Sequence, residues 1–396
     1  MEQESSTKLD EPPEPGGLKR AKFFQSQSTI LTIEIPPLRF QIPQYPKFIT
    51  EVPQLKRELS KKNIFLSEEE TENIERVVEK YPMRISSYYL SLIKEKGDSI
   101  WNQCIPNINE IENTIGEEDP LNEENEIPFL THRYPDRCLL IVSNTCAMYC
   151  RFCTRKRKVG ESLKNPTRRD ISKAISYIRN HKEIRDVLLS GGDPFLLGDK
   201  LLEDILVEIR KIPHVEMIRI GTRVPCVMPE RVTDKLCNML KKYNKNPQLY
   251  INIHFEHPGE ITEKSKIACE KLIDAGIPLG NQSVLLKGVN NFPGIIKELN
   301  QKLLSIGVRP YYLYQPDLVK GTAHFRGPVK DGLRTIRELR GFTSGMAVPQ
   351  FVIDSPGGGG KIPLLPKYAE IKEDGSVLMK NYQDKEFYYP ADSLES

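Results

Sequence analysis

The fold is decided by residues 138–153, CLLIVSNTCAMYCRFC. The stretch begins as a short apolar run typical of a buried strand and then places Cys146, Cys150 and Cys153 at C-x3-C-x2-C spacing. Thiolates are soft ligands that suit iron–sulfur clusters and zinc. Three ligands on one loop can hold three corners of a cubane cluster and leave one iron open. A zinc knuckle would need a fourth Cys or His at ligand spacing, so the spacing favours a cluster.

Beyond this loop, short β-like runs alternate with amphipathic helical stretches. The strand predictions are Cys138–Ser143, Asp186–Ser190, Val215–Ile220, Gln248–His254, Gly280–Leu286 and Val308–Tyr314. Such βα units in series predict an α/β fold with a parallel sheet and right-handed crossovers. The periodicity fits an open doubly wound sheet and a barrel equally well. In both folds, functional residues gather after the carboxyl ends of the strands.

Composition along the chain divides it into four predicted segments. These are a mobile or extended arm over residues 1–50, a helical N-terminal subdomain over 51–130, the βα core over 131–345, and a closing C-terminal segment over 346–396. The arm is rich in proline and polar residues, which bury little apolar surface. In the last segment, Asp374-Gly375 between β-like runs predicts a terminal hairpin.

The charge balance excludes some classes of protein. The chain of 396 residues has 57 Lys and Arg against 54 Asp and Glu, whereas a nucleic-acid-binding protein should show a clear basic excess. No apolar stretch is long enough to span a bilayer, and the first residues lack the pattern of a secretory signal. We therefore expect a cytoplasmic protein that binds neither nucleic acid nor membrane.

A second unusual feature is the run of four glycines that ends at Lys361. Pro356 before it and Ile362-Pro363 after it favour an ordered turn over a flexible linker. A lysine amine in a site can form a Schiff base with pyridoxal phosphate. The phosphate-binding P-loop is excluded because no Ser or Thr follows the lysine.

Taken together, the motifs resemble the lysine 2,3-aminomutase family of radical-SAM enzymes. The matching strings are HRYPDR at 132–137, CTR at 153–155, GNQS at 280–283 and PGGGGK at 356–361. The resemblance implies an isomerase with a partial (β/α)6 TIM-like barrel of the radical-SAM type, an N-terminal helical subdomain and a C-terminal closing segment. It also implies three cofactors: a 4Fe–4S cluster, S-adenosylmethionine and pyridoxal phosphate.

The resemblance assigns a role to each matching position. The expected cluster ligands are Cys146, Cys150 and Cys153. The residues expected near S-adenosylmethionine are Phe152, Gly191, Gly192, Asp193 and His254. Those expected to bind pyridoxal phosphate are Lys361, Arg133, Arg137 and Gln282. Those expected to bind the amino-acid substrate are Arg155, Asp317 and Asp354. Without the flanking matches, Gly191-Gly192-Asp193 would be an ordinary turn and the arginines ordinary surface residues.

The expected substrate is L-lysine, because Asp317 and Asp354 would face its ε-ammonium, and the expected product belongs to lysine metabolism. Arginine, glutamate and a protein lysine remain alternatives with the same chemistry. A non-catalytic iron–sulfur or zinc-binding module and a nucleic-acid-modifying radical-SAM enzyme are alternatives of other classes. An electron donor such as ferredoxin or flavodoxin and a possible homo-oligomer are the expected partners.

One departure from the family concerns zinc. Family members carry zinc ligands just after the GNQS strand and in the C-terminal tail, whereas this chain has Phe292 at the first position and no cysteine from Tyr368 to Ser396. Without thiolates there is no soft tetrahedral ligand set. No zinc is therefore expected.

Overall fold

A computed structural model describes residues 48–123, 127–160, 165–245 and 248–391. These residues all belong to one unit of the chain. The arm predicted over residues 1–50 lies outside the described residues except for its last three. Among the helices of the described part, none is both long and apolar enough to cross a membrane.

Short helices precede the main sheet. The helices are α1 (Val52–Ser60), α2 (Glu68–Lys80), α3 (Ser87–Ser91), α4 (Ser99–Cys104) and α5 (Asn109–Glu112). Two small strands, β1 (Phe48–Ile49) and β2 (Ile85–Ser86), lie among them. A capping box starts α2, where Ser67 Oγ accepts a hydrogen bond from Glu70 N. The sequence also predicts a helix over residues 84–94, but the bounds of this prediction are wrong. Ile85 instead pairs with Ile49, as suits a β-branched residue, and α3 ends at Ser91.

The main sheet has nine strands that follow one another in chain order. They are β3 (Leu130–Tyr134), β4 (Arg137–Ser143), β5 (Asp186–Gly191), β6 (Met217–Thr222), β7 (Gln248–Ile253), β8 (Leu279–Val284), β9 (Val308–Tyr314), β10 (Gln350–Ser355) and β11 (Gly360–Pro363). Strands β4 to β10 are parallel, while β3 and β11 pair antiparallel at the two edges. A doubly wound sheet reverses its strand order at a switch point, so this unbroken order confirms the partial-barrel interpretation.

The helices between the parallel strands cover the outer face of the sheet, as right-handed crossovers require. They are α6 (Arg168–Asn180), α7 (Asp199–Arg210), α8 (Val224–Val227), α9 (Asp234–Lys242), α10 (Glu263–Asp274), α11 (Pro293–Ser305) and α12 (Val329–Leu339). In α6, the buried stripe is Ile171, Ala174, Ile175 and Ile178, which follows the helical repeat. Each such isoleucine stabilises the fold by about 1.5–3 kcal/mol relative to an exposed one.

A separate three-stranded sheet ends the described chain. Its strands are β12 (Ala369–Ile371), β13 (Val377–Lys380) and β14 (Glu386–Tyr389), and both pairs are antiparallel. The turn at Asp374-Gly375 joins β12 to β13, which confirms the predicted hairpin. The third strand was not predicted from the sequence.

Candidate active site

The loop after β4 carries the three clustered cysteines as free thiols. Two backbone hydrogen bonds tether it to the segments before the barrel: Tyr149 N donates to Arg84 O at 2.9 Å, and Arg151 N donates to Gln103 O at 3.0 Å. Within the described residues, no three His, Cys, Asp or Glu side chains converge to hold a single metal ion. A cubane cluster needs no such convergence because each thiolate binds a different iron.

A buried ionic group fixes the same loop. Arg151 Nε donates to Glu110 Oε1 at 2.9 Å, and Lys156 Nζ donates to the same carboxylate. All three side chains are at most 5% exposed. Burial opposes ionisation of Glu110, but the two cations outweigh it and lower its pKa, while burial followed by the Arg151 charge lowers the pKa of Lys156 to about 8. No motif in the sequence indicates this group.

Arg223 joins the cysteine loop to the barrel. Its Nη1 donates to Cys150 Sγ at 2.7 Å, and its Nη2 donates to Gln103 Oε1 at 2.5 Å and to Glu260 Oε1 at 2.8 Å. Arg223 was not among the predicted site residues. Its position directly after β6, at the carboxyl end of a parallel strand, is the signal that could have found it.

The glycine pair after β5 packs against the backbone of the cysteine loop. Gly191 has φ +120°, and a Cβ there would lie 2.3 Å from Ser143 O. A Cβ on Gly192 would lie 2.4 Å from Thr145 O. Neither position has room for a side chain, so the two glycines allow β5 to approach the loop that holds the cysteines.

Asp193 is buried and accepts hydrogen bonds on both carboxylate oxygens. The donors are Phe195 N at 3.0 Å, Thr222 Oγ1 at 2.7 Å and Arg223 N at 2.7 Å. Burial raises the pKa of this carboxyl. These bonds hold the backbone of Arg223 in place, and Asp193 does not line the cavity described next.

A cavity of about 630 Å³ opens inside the barrel. The predicted site residues that line it are Arg133, Arg137, Phe152, Arg155, His254, Gln282, Asp317, Asp354 and Lys361. They come from β3, β4, the cysteine loop, β8, β10, β11 and the loops after β7 and β9, which lie far apart in sequence. The cysteine loop forms one wall of the cavity through Phe152 and Arg155, whereas the cysteines and the glycine pair are not lining residues.

Lys361 lies on β11, directly after the turn of glycines. The pairing of β10 with β11 sets Lys361 opposite Asp354, and Lys361 N donates to Tyr134 Oη at 2.8 Å. Gly360 has φ +90°, and a Cβ there would lie 2.8 Å from Tyr134 Oη. The glycine run is thus an ordered turn, as predicted, and only glycine fits beside the tyrosine.

One of the two predicted aspartates, Asp354, contacts the amine of Lys361. Lys361 Nζ lies 2.9 Å from Asp354 Oδ1 and 3.0 Å from Oδ2. Asp317 lines the same cavity, and burial, followed by the charge of Asp354, raises the pKa of Asp317 to about 7. The pair has one negative charge more than the lysine can compensate when Asp317 is ionised, so a second cation would be stabilised here.

The two predicted phosphate-binding arginines lie where the chain turns from β3 into β4. Arg133 Nη2 donates to Leu121 O. Arg137 Nη1 donates to Asp136 Oδ1 at 3.1 Å, and its guanidinium lies 3.9 Å from the centre of the Tyr134 ring. Two guanidinium groups in one cavity suit a phosphate dianion.

Phe152 and His254 line another part of the cavity wall. The Phe152 ring meets Phe325 edge to face with centres 6.0 Å apart. His254 Nδ1 lies 3.8 Å from Glu256 Oε1, a buried oxygen for which the described residues supply no hydrogen-bond partner.

Arg155 forms an ion pair with Glu123, a residue that no sequence motif predicted. Its Nε donates to Glu123 Oε2 and its Nη2 to Glu123 Oε1, both at 2.8 Å. Burial opposes ionisation of Glu123, but Arg155 outweighs it and lowers the pKa of Glu123. Both residues line the cavity, so the expected anchor for the substrate carboxylate already has an acidic partner.

Comparison with known proteins agrees with this arrangement. The radical SAM superfamily model matches residues 140–293, and the lysine-2,3-aminomutase family model matches residues 336–392. The chain is 52% identical to the L-lysine 2,3-aminomutase of Methanococcus maripaludis over 81% of this chain and 75% of that protein. The chain belongs to the lysine 2,3-aminomutase family. The Clostridium subterminale L-lysine 2,3-aminomutase is 50% identical over 82% of this chain and 78% of its own length.

Membership in this family fixes the class of chemistry. The chain is a radical-SAM isomerase that uses S-adenosylmethionine, a 4Fe–4S cluster and pyridoxal phosphate on a small-molecule substrate. A glutamate 2,3-aminomutase of Clostridioides difficile is also 48% identical over 82% of this chain and 77% of that protein. Overall identity therefore separates the two substrates poorly, and the choice depends on the cavity.

Proposed function

We propose that this chain converts L-lysine to L-β-lysine, moving the α-amino group from C2 to C3 and one hydrogen atom from C3 to C2. The observation that carries the proposal is the pair Asp317 and Asp354 beside Lys361 in one cavity. Asp354 would lose its cationic partner once the Lys361 amine is engaged by a carbonyl cofactor. The ε-ammonium of lysine is a cation of suitable chemistry to replace it.

Recognition of the other end of the substrate is assigned to Arg155. A guanidinium binds a carboxylate through two parallel hydrogen bonds, and Arg155 lines the same cavity as the two aspartates. A substrate with a carboxylate at one end and a cation at the other therefore meets a complementary charge at each end. A glutamate side chain would place a third carboxylate beside Asp317 and Asp354, which favours lysine.

The residues around Lys361 fit pyridoxal phosphate. The amine lies in a cavity that also presents Arg133, Arg137 and Gln282, which would hold the phosphate. Pyridoxal phosphate, when bound, supplies an electrophilic carbonyl carbon, conjugated to its ring, that carries the migrating nitrogen. Asp354 holds the Lys361 amine before the cofactor engages it, and Tyr134 fixes the backbone of Lys361.

The cysteine loop fits a cluster with one open iron. Three free thiols lie on a loop held by buried ionic contacts, and Phe152 and His254 face the adjoining cavity, where S-adenosylmethionine would bind. The cluster, when bound with S-adenosylmethionine, supplies the one-electron cleavage that generates the radical. An electron donor such as ferredoxin or flavodoxin would reduce the cluster in the cytoplasm. Formation of a homo-oligomer is also part of the proposal.

Anaerobic reconstitution tests the proposal. The protein is loaded with iron, sulfide and pyridoxal phosphate, mixed with S-adenosylmethionine and dithionite, and offered L-lysine, L-arginine or L-glutamate separately. Product analysis is expected to find β-lysine as the main product. Faster turnover of glutamate or arginine than of lysine would contradict the substrate assignment. If S-adenosylmethionine were cleaved but no β-amino acid formed from any member of the panel, these free amino acids would be excluded as substrates.

A further inference from the structure

Glu123 is a partly buried carboxylate in the cavity that the proposed reaction does not use. It contacts Arg155 through two hydrogen bonds of 2.8 Å, and the two side chains are only 16% and 12% exposed. A buried ion pair of this geometry is costly to desolvate and is weak evidence for a stabilising role. Its position beside the expected substrate anchor indicates a functional reason.

The edge of the guanidinium that Glu123 occupies is informative. Glu123 takes Nε and one hydrogen of Nη2, which form the side edge of Arg155. Among the described residues, the end edge, Nη1 with the other hydrogen of Nη2, makes only long contacts of 3.4 Å, to Ser190 Oγ and Gly191 O. An arginine has five N–H donors in a fixed fork, so a second carboxylate can bind the end edge while Glu123 keeps the side edge.

The backbone of Glu123 is held at both ends of the residue. Glu123 N donates to Asp119 Oδ2 at 3.0 Å, and Thr131 Oγ1 donates to Glu123 O at 3.0 Å. Glu123 therefore has a fixed position from which to orient the longer side chain of Arg155. A fixed partner also lowers the entropy that Arg155 would lose on binding a ligand.

We propose that Glu123 is a positioning residue that clamps the side edge of Arg155 and presents its end edge to the α-carboxylate of the substrate. The inference rests on the proposed function, because Arg155 is assigned to the substrate carboxylate only there. Glu123 also makes the anchor electrically neutral before the substrate arrives.

The test compares L-lysine with 1,5-diaminopentane, which has the two amines of lysine without the carboxylate. Binding of each to protein loaded with pyridoxal phosphate is followed by the absorbance change of the cofactor, without S-adenosylmethionine or reductant. The variants are Glu123→Gln, Glu123→Asp and, as matched control, Glu118→Gln. Glu118 lies in the same segment, contacts Lys320 at 3.4 Å on the surface, and does not line the cavity.

Glu123→Gln is expected to weaken lysine binding about tenfold and diaminopentane binding less than twofold, because only lysine uses the Arg155 end edge. Glu123→Asp, which keeps the charge, should recover part of the loss, and Glu118→Gln should match the wild type. Equal weakening of both ligands, unchanged binding or tighter lysine binding in Glu123→Gln would each overturn the inference. A wild-type protein that fails to bind or convert lysine would instead overturn the proposed function.

Discussion

The ionisation of Asp317 is expected to control how tightly lysine binds. Burial, followed by the charge of Asp354, raises the pKa of Asp317 to about 7, so this carboxyl is mostly protonated below that pH. An ε-ammonium binds the ionised carboxylate better than the neutral acid, because only the carboxylate supplies a full negative charge. Lysine affinity should therefore rise with pH through the region near this pKa and level off above it.

The size of the effect follows from the ionised fraction. Each pH unit well below the pKa lowers that fraction about tenfold, which is equivalent to ~1.4 kcal/mol. As the pH falls from about 8 to about 6, the KM for lysine should thus increase, by up to roughly tenfold for each pH unit below the pKa of Asp317. Asp317→Asn cannot ionise, and breaking a buried ion pair from one side costs about 3–5 kcal/mol. This variant should lose a hundredfold or more in kcat/KM at the higher pH and should lose the dependence on pH.

The assay measures initial rates of β-lysine formation over this pH range for the wild type, Asp317→Asn and Asp274→Asn. Asp274 is an exposed aspartate at the end of α10 and serves as the matched control. The control should follow the wild-type profile. The same slope of KM against pH in the wild type and in Asp317→Asn would refute the reasoning, because the titrating group would then lie elsewhere.

Three other predictions concern the cofactors and the metal content. Cys150→Ala should abolish S-adenosylmethionine cleavage, whereas the wild type should hold about four irons per chain by elemental analysis; full cleavage in the variant would exclude the cluster assignment. Borohydride should fix pyridoxal phosphate to Lys361, and Lys361→Ala should lose the labelled peptide but keep its iron; a label on another lysine would contradict the assignment. Because Phe292 and the tail from Tyr368 to Ser396 offer no thiolates, dialysed protein should contain no stoichiometric zinc.

The elements of the barrel were largely predictable because strand and helix periodicity is a local property. The ends of the elements were less predictable: the strand predicted at Val215–Ile220 runs from Met217 to Thr222. Periodicity alone could not distinguish a barrel from a doubly wound sheet. The choice depends on strand order, which is set by contacts between residues far apart in the chain.

The same distinction between local pattern and long-range contact explains which site residues could be predicted from the sequence. Residues inside contiguous motifs, such as Lys361 and Arg155, could be proposed from the sequence because the motif itself is visible there. Glu110 and Glu123 were missed because each contacts a partner far along the chain; Glu110 and Arg151, for example, are 41 residues apart. An ion pair of this kind leaves no periodic or spacing signal, and only the fold brings its members together.

The contacts of Glu110 with Arg151 and Lys156 have a consequence for maturation of the enzyme. The cysteine loop takes its shape from Arg84, Gln103 and Glu110, all of which leave the ribosome before the loop does. Iron and sulfide can therefore be inserted into a shaped loop only after these earlier residues have packed against it. A shortened protein that keeps the barrel but lacks the helices before it should remain without its cluster, however complete its cysteine motif.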